Sequence, residues 1–289
     1  MDCRAIITSF DKIAEQANPI KPGDWRDQQG LLHCGKCGAY MECETKLEKI
    51  KVSQSFYESL DAEHRQYVDE ARNWLAGRKH RIPCKCREDE RRAFEKAQRK
   101  QVIDDNMKHC FGRTPALFNY VFELDDNKTS KASETSRKYA IDFKKYCERG
   151  WKLILHGKVG TGKTYYACAI ANKLLQDGYK VKFTTITDII ADAKRYFLPI
   201  STVVDGLCEN HLVVIDDFGS ENQNEKTIAD TYQIINSFYE RKQALVVTTN
   251  IPYDTLKNPT ETETQRIYSR LLKDSTLLEV TSDGDRRQK

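Results

Sequence analysis

A sheet of mainly parallel strands flanked by helices, preceded by a small, mainly helical cysteine-bearing module, is the α/β fold class that the sequence predicts. Three observations carry the prediction. Apolar strand-like runs alternate with helical patterns from about residue 152 onward, the first strand-to-helix turn is rich in glycine, and two cysteine pairs bracket a helical stretch near the N-terminus.

In chain order, Pro19, Pro22, Gly23 and Gly30 follow a short helical stretch and lead into His33-Cys34-Gly-Lys-Cys37. Between 56 and 75 the residues Phe56, Leu60, Tyr67, Val68, Ala71, Trp74 and Leu75 recur at the spacing of one helix face, before Cys84-Lys-Cys86 closes the unit. Over 87–108 the pattern is a charged, exposed helix in which Glu88 precedes Arg92, and Glu95 precedes Arg99, by one helical turn. A helix near 134–149 follows. Strands are expected at 152–156, 180–185, 211–216, 244–249 and 276–280, with helices at 163–177, 187–197, 224–241 and 263–273. The reading divides the chain into a module over 1–86, a linker helix over 87–114 and a large domain over 115–289.

Composition narrows the function classes. The 289 residues are 31% charged and 39% apolar, with a mean hydropathy of −0.69, and no apolar run is long enough for a membrane span. The N-terminus MDCRAIITSF lacks the basic and apolar regions of a signal peptide, so a cytoplasmic location is expected. A net charge of +4 is too small for global attraction to nucleic acid, which leaves local patches. Ten cysteines in a reducing compartment point to metal ligation or buried thiols rather than disulfides.

The strongest motif is Gly157-Lys158-Val159-Gly160-Thr161-Gly162-Lys163-Thr164, a complete G-x-x-x-x-G-K-[ST] between the strand over 152–156 and the helix over 163–177, and together with Tyr165 it is the candidate nucleotide-binding set. Its glycines let backbone N–H groups converge on phosphate oxygens, and the helix N-terminus adds partial positive charge. In such loops the lysine reaches the β and γ phosphates and the Thr164 hydroxyl ligates Mg²⁺. The apolar run His211-Leu-Val-Val-Ile ends in Asp216 and Asp217, a Walker B pattern: Asp216 is the candidate for Mg²⁺, Asp217 for orienting or deprotonating water. Acids at a strand end also serve as helix caps. The next strand ends Thr248-Thr249-Asn250, and Asn250 suits positioning of the lytic water or merely opens the turn before Pro252. Arg266 and Arg270 lie one turn apart, suited to an arginine finger or to a solvated helix face.

Cys34, Cys37, Cys84 and Cys86 make a four-thiolate set of the kind that binds Zn²⁺, although forty-six residues separate the pairs. His33, Cys43 and His80 compete as ligands.

With these motifs in this order, residues 115–289 resemble the AAA+ ATPases of the DnaC and IstB kind. Ala169-Ile-Ala-Asn172, Asp216-Asp-Phe-Gly-Ser-Glu221 and Ser269-Arg270-Leu-Leu strengthen the likeness. The resemblance implies an AAA+ sheet of order 5-1-4-3-2, ATP and Mg²⁺ as cofactors, and self-association in which Arg270, or else Arg266, is the finger and Arg286 a late sensor. It also implies action on a replicative DnaB-type helicase or on single-stranded DNA, with contacts from an insertion holding Lys194, Arg195 and Tyr196. Loaders of this kind often carry an N-terminal zinc-binding region, so the first expectation is an ATP-dependent helicase loader. The alternatives are an IstB-like transposition helper, a P-loop small-molecule kinase, against which Asp217 and Asn250 speak by suiting water activation, and a non-catalytic zinc-dependent DNA-binding regulator.

Overall fold

The computed structural model describes residues 19–44, 54–62, 64–66, 68–69, 79–112, 114–221 and 224–282. It separates into two units, Met1–Gln98 and Arg99–Lys289. The division falls within the expected linker helix.

In the first unit, β1 (Trp25–Arg26) pairs antiparallel with β2 (Leu32–His33), and β3 (Glu42–Glu44) with β4 (Lys79–Arg81). Short α1 (Gln54–Ser59) overlaps the start of the helical stretch expected over 56–75. Residues 63, 67 and 70–75 of that expectation, and the short helix before Pro19, lie outside the described residues. Among the described residues the apolar centre is small: Leu32, Met41, Cys34 and Cys84 are buried together, with Cys86 packed against them. Polar contacts supply further ties. Asp24 accepts from the Gly35 amide at 2.9 Å and from Arg87 at 2.5 Å, with its carboxyl nearly inaccessible, and these donors hold its pKa below the usual carboxylate value.

Helix α2 (Lys85–Phe111) begins in the first unit and ends in the second. Its middle is exposed and charged, as the spacing predicts. Glu88 pairs with Arg92 at 2.6 Å, whereas Glu95 pairs backwards with Arg91 at 3.7 Å rather than forwards with Arg99. Its last residues, Cys110 and Phe111, are buried.

The second unit is built on a five-stranded parallel sheet of β5 (Lys152–His156), β6 (Val181–Thr184), β7 (Leu212–Phe218), β8 (Leu245–Thr249) and β9 (Ser275–Glu279). The spatial order is β6-β7-β8-β5-β9, which is the expected 5-1-4-3-2 counted from β5. Strands covered on both faces need apolar residues pointing both ways, and they have them. Leu153, Leu155, Val214 and Val246 pack with Ile170 and Leu174 of α5 (Lys163–Gln176). On the other face Ile154, Val213, Ile215 and Val247 meet α6 (Ile186–Arg195), α8 (Glu225–Glu240) and α10 (Thr262–Leu272).

The helix expected over 134–149 is two, α3 (Lys131–Ile141) and α4 (Phe143–Arg149), broken at Asp142. Two short helices had no periodic signal long enough to read: α7 (Ile200–Leu207) and α9 (Tyr253–Lys257). Among the described residues, no helix is long and apolar enough to cross a membrane.

Candidate functional site

Parallel strands carry all their C-terminal ends to one edge, so the chain segments leaving β5, β7 and β8 meet there. The loop after β5 is shaped by its glycines. Gly162 has φ 100° and caps α5, a left-handed conformation that strains any side chain. A Cβ on Gly157 would fall 2.4 Å from the Val280 carbonyl oxygen, just past β9, so only glycine fits. Lys163 is buried, and its ammonium donates to the Gly157 and Lys158 carbonyls at 3.0 and 2.7 Å, inside the loop. Thr161 donates to the Lys158 carbonyl at 2.9 Å and helps close the turn.

From α5, the Thr164 hydroxyl donates to Asp216 at 3.0 Å. A hydroxyl and a carboxylate side by side at the mouth of a phosphate-type loop are hard oxygen donors, the set that Mg²⁺ takes with nucleotide phosphates. Burial pushes the Asp216 carboxyl up, hydrogen bonds from Thr248 and Thr164 pull it back, and neighbouring Asp217 adds to the rise. A bound cation would relieve that cost of burial.

Consecutive residues of a regular strand point to opposite faces. Both acids nevertheless serve this edge, because β7 is bulged against β8. Ile215 pairs with Val247 and Phe218 with Thr249, so Asp216 and Asp217 together oppose one residue, Thr248. Asp217 takes φ 53°, a left-handed conformation that aspartate tolerates better than most residues. Its exposed carboxylate accepts from the Asn250 side-chain amide at 2.9 Å. Asp216, Asp217, Asn250, Lys163 and Thr164 are thus brought together.

A wall absent from the sequence reading completes the site. Two 3₁₀ turns, Pro115–Asn119 and Phe122–Leu124, lie along α5. Fully buried Asn172 donates to the Leu117 and Tyr120 carbonyls at 3.0 and 2.8 Å, and Tyr165 donates to the Val121 carbonyl at 2.7 Å. The Tyr120 and Tyr165 rings pack at 5.3 Å. Leu117, Tyr120, Tyr165, Gly162, Lys163 and Asp216 line a cleft of about 630 Å³, in the range of small-ligand sites. Exposed Lys158 and Val159 sit at the outer turn of the loop.

Other candidates lie apart from this cluster. The Arg270 guanidinium donates to Asn236 at 2.5 Å and to the Arg266 carbonyl at 3.1 Å, and lies 4.8 Å from the Tyr232 ring centroid, so it is cradled against α8. Arg266 is exposed on the same helix. Arg286 falls outside the described residues. Lys194, Arg195 and Tyr196 close α6 and are exposed, followed by Phe197, which is 95% exposed at φ 53°.

In the first unit the sulfurs of Cys34, Cys37, Cys84 and Cys86 all lie within 4.8 Å of one another. Cys34–Cys86, Cys37–Cys86 and Cys84–Cys86 are 3.6, 3.5 and 3.1 Å apart. Zinc–sulfur bonds of about 2.3 Å in a tetrahedron put sulfurs about 3.8 Å apart, so the cluster fits one such ion after small adjustment. Backbone amides of Cys37 and Lys36 donate to the Cys34 sulfur and lower its pKa to about 6, which favours the thiolate a metal needs. His33 is not among these ligands. Its ring nitrogens face the Gly38 carbonyl at 2.9 Å and Asp27 at 3.0 Å, and it stacks on Trp25 at 4.1 Å. Cys43 and His80 are opposite each other in the β3–β4 pairing. Their side chains lie outside what is described.

Comparison with known proteins adds a family. The model of the IstB-like ATP binding proteins matches residues 92–289. A putative insertion sequence ATP-binding protein of Sinorhizobium fredii is 26% identical over 144 residues, covering 48% of each chain. The replicative helicase loader DnaC of Buchnera aphidicola subsp. Baizongia pistaciae is 31% identical over 146 residues, 48% of this chain and 56% of that one. The matched region thus spans about half the length of these curated relatives. Among solved structures, that of the DnaC helicase loader aligns over 57% of this chain and 99% of its own, with a TM-score of 0.49 and 20% identity.

Proposed function

The chain belongs to the IstB-like ATP-binding protein family, and from that premise we propose that it is an ATP-hydrolysing helicase loader. In this reading residues 1–86 grip a replicative DnaB-type helicase, 87–114 form a linker, and 115–289 couple ATP binding and hydrolysis to placing the helicase on single-stranded DNA. The observation that carries the ATPase part is the joined set at the sheet edge, where Thr164 bonds Asp216 and Asn250 bonds Asp217.

Lys163 would bind the β and γ phosphates, and Thr164 with Asp216 would hold Mg²⁺, which neutralises phosphate charge when bound. Asp217, held at its carboxylate by Asn250, would orient and deprotonate the attacking water. Arg270, or else Arg266, would serve a neighbouring copy's γ-phosphate. The four-cysteine cluster would hold Zn²⁺, and Lys194, Arg195 and Tyr196, with Phe197 beside them, would contact phosphates and bases of single-stranded DNA.

The insertion-sequence relative favours a second reading, a transposition helper with the same ATPase domain. Co-purification separates the two. The full chain is expected to retain a replicative helicase from its host in the presence of ATP; retention of a transposase and of no helicase would overturn the loader assignment. Asp217→Asn should keep ATP binding and lower turnover by about 100-fold or more, and unchanged turnover would overturn the role given to Asp217.

A further inference from the structure

From the bulge in β7, we infer that Thr248 is a positioning residue that couples the metal-binding carboxylate to the water-activating one through a single hydroxyl. The inference rests on the ATPase reading above and extends it to Thr248, which has no part in that reading.

The argument starts from backbone accounting. A bulge leaves its extra residue without a ladder partner, and a buried N–H left unpaired is costly. Here the stranded donor is the Asp217 amide, and it finds Thr248 Oγ1 at 2.8 Å. The same oxygen carries one proton. While one lone pair accepts from the amide, that proton is donated to Asp216 Oδ1, at 2.6 Å. Thr248 is 1% exposed, so its hydroxyl has no solvent alternative to these two bonds.

The hydroxyl therefore does two jobs at once. It fixes the left-handed backbone of Asp217, which presents the carboxylate to Asn250, and it orients Asp216 toward Thr164. Moving one acid moves the other. The adjacent Thr249 does not share this arrangement, since its hydroxyl donates to the Phe218 carbonyl at 2.7 Å and accepts from the Ile251 amide. Thr248 would not touch nucleotide; it would act through the two acids.

The test uses the full chain and four proteins: wild type, Thr248→Val, Thr248→Ser and Asp217→Asn. Valine keeps the volume and removes the hydroxyl. We expect Thr248→Val to bind a fluorescent ATP analogue in EDTA within about twofold of wild type. Its Mg²⁺ half-saturation should rise about five- to tenfold, and kcat should fall about 10- to 100-fold at a nearly unchanged KM for ATP. Exchange of the Asp217 amide in the nucleotide-free protein, followed by NMR, should accelerate at least about tenfold. Thr248→Ser should restore all three within about threefold.

Wild-type kcat and Mg²⁺ dependence in Thr248→Val, a serine variant as impaired as the valine one, or an unchanged amide exchange would each overturn the inference. If valine prevents folding, Thr248→Cys, with a weak donor in place of the hydroxyl, is read in the same assays against the same outcomes. Absence of ATP turnover in the wild type would instead sink the ATPase reading, and equal turnover in wild type and Asp217→Asn would sink only the role of Asp217; in either case the amide exchange would still decide whether the hydroxyl bridges the two acids.

Discussion

The two units of this chain hold themselves together by different means. The second buries two apolar layers, one on each face of a five-stranded sheet, with Leu153 and Ile154 of the same strand wholly inaccessible on opposite sides. The described part of the first has four very short strands and a buried apolar centre of Leu32, Met41 and two cysteines. By itself, a centre of the size seen among the described residues cannot offset the conformational entropy of ordering the chain around it, and small domains with such centres rely on cross-links or metals. The four converging sulfurs stand where such a cross-link would act. A metal ion held there would join residues 34 and 37 to 84 and 86, closing a loop that would otherwise cost entropy to order.

The sharpest way to break this comparison is to remove a sulfur. Cys84→Ser, or a strong zinc chelator added to the wild type, should abolish the protected amides of the first unit altogether. The thermal transition of the second should stay within about 2 °C, because it holds its own core. Loss of both in one transition, followed by hydrogen exchange resolved by residue, would show that the units do not stand separately.

A core truncation tests the other half. Leu174 is fully buried on α5, and Leu174→Ala should cost about 2–5 kcal/mol in denaturant unfolding of the second unit, leaving metal content unchanged. An effect below about 1 kcal/mol would mean that the layer is loosely packed.

Smaller in energy, and aimed at the site rather than the core, is Lys163→Ala. Its ammonium sits within the loop it closes, and its loss should weaken ATP binding by about 100-fold, roughly 2.7 kcal/mol, as read by titration calorimetry. Near-normal affinity would remove the loop from the binding site.

The smallest effect belongs to α2. The Glu88–Arg92 pair is largely exposed, so Arg92→Ala should change the stability of either unit by less than about 0.5 kcal/mol in thermal melts.

What could be read from the sequence follows the same division. The strands of the second unit are long, apolar and evenly spaced, and the glycine-lysine-threonine loop names its own position, so the parallel sheet and its edge were legible. The strand order came from the family resemblance and agrees with the pairing. The bulge was not legible, because nothing in Leu-Val-Val-Ile-Asp-Asp-Phe distinguishes an extra residue from one more strand residue. One signal existed: Thr248 and Thr249 are two polar residues ending an otherwise apolar buried strand, and each needed a partner there. The wall formed by residues 115–124 was hidden for another reason. Its 3₁₀ turns have no periodic pattern, and they are tied down by Asn172 and Tyr165, far away in sequence. In the first unit, the cysteine pairs were plain, but strands of two or three residues are too short for alternation to register. His33 looked like a ligand from its place beside Cys34; its ring is instead committed to Asp27, Gly38 and Trp25.

One contact reaches further than its size suggests. The Gly157 backbone rests against the Val280 carbonyl, and the Val280 amide donates to His156 at 2.8 Å. The end of β9 is therefore the back of the glycine-rich loop after β5, so both strands are subject to one constraint. Recombination that exchanged the tail of this domain for a relative's would be judged by the fit at position 157, and a truncation before Val280 would deform the loop while leaving every residue of its motif in place.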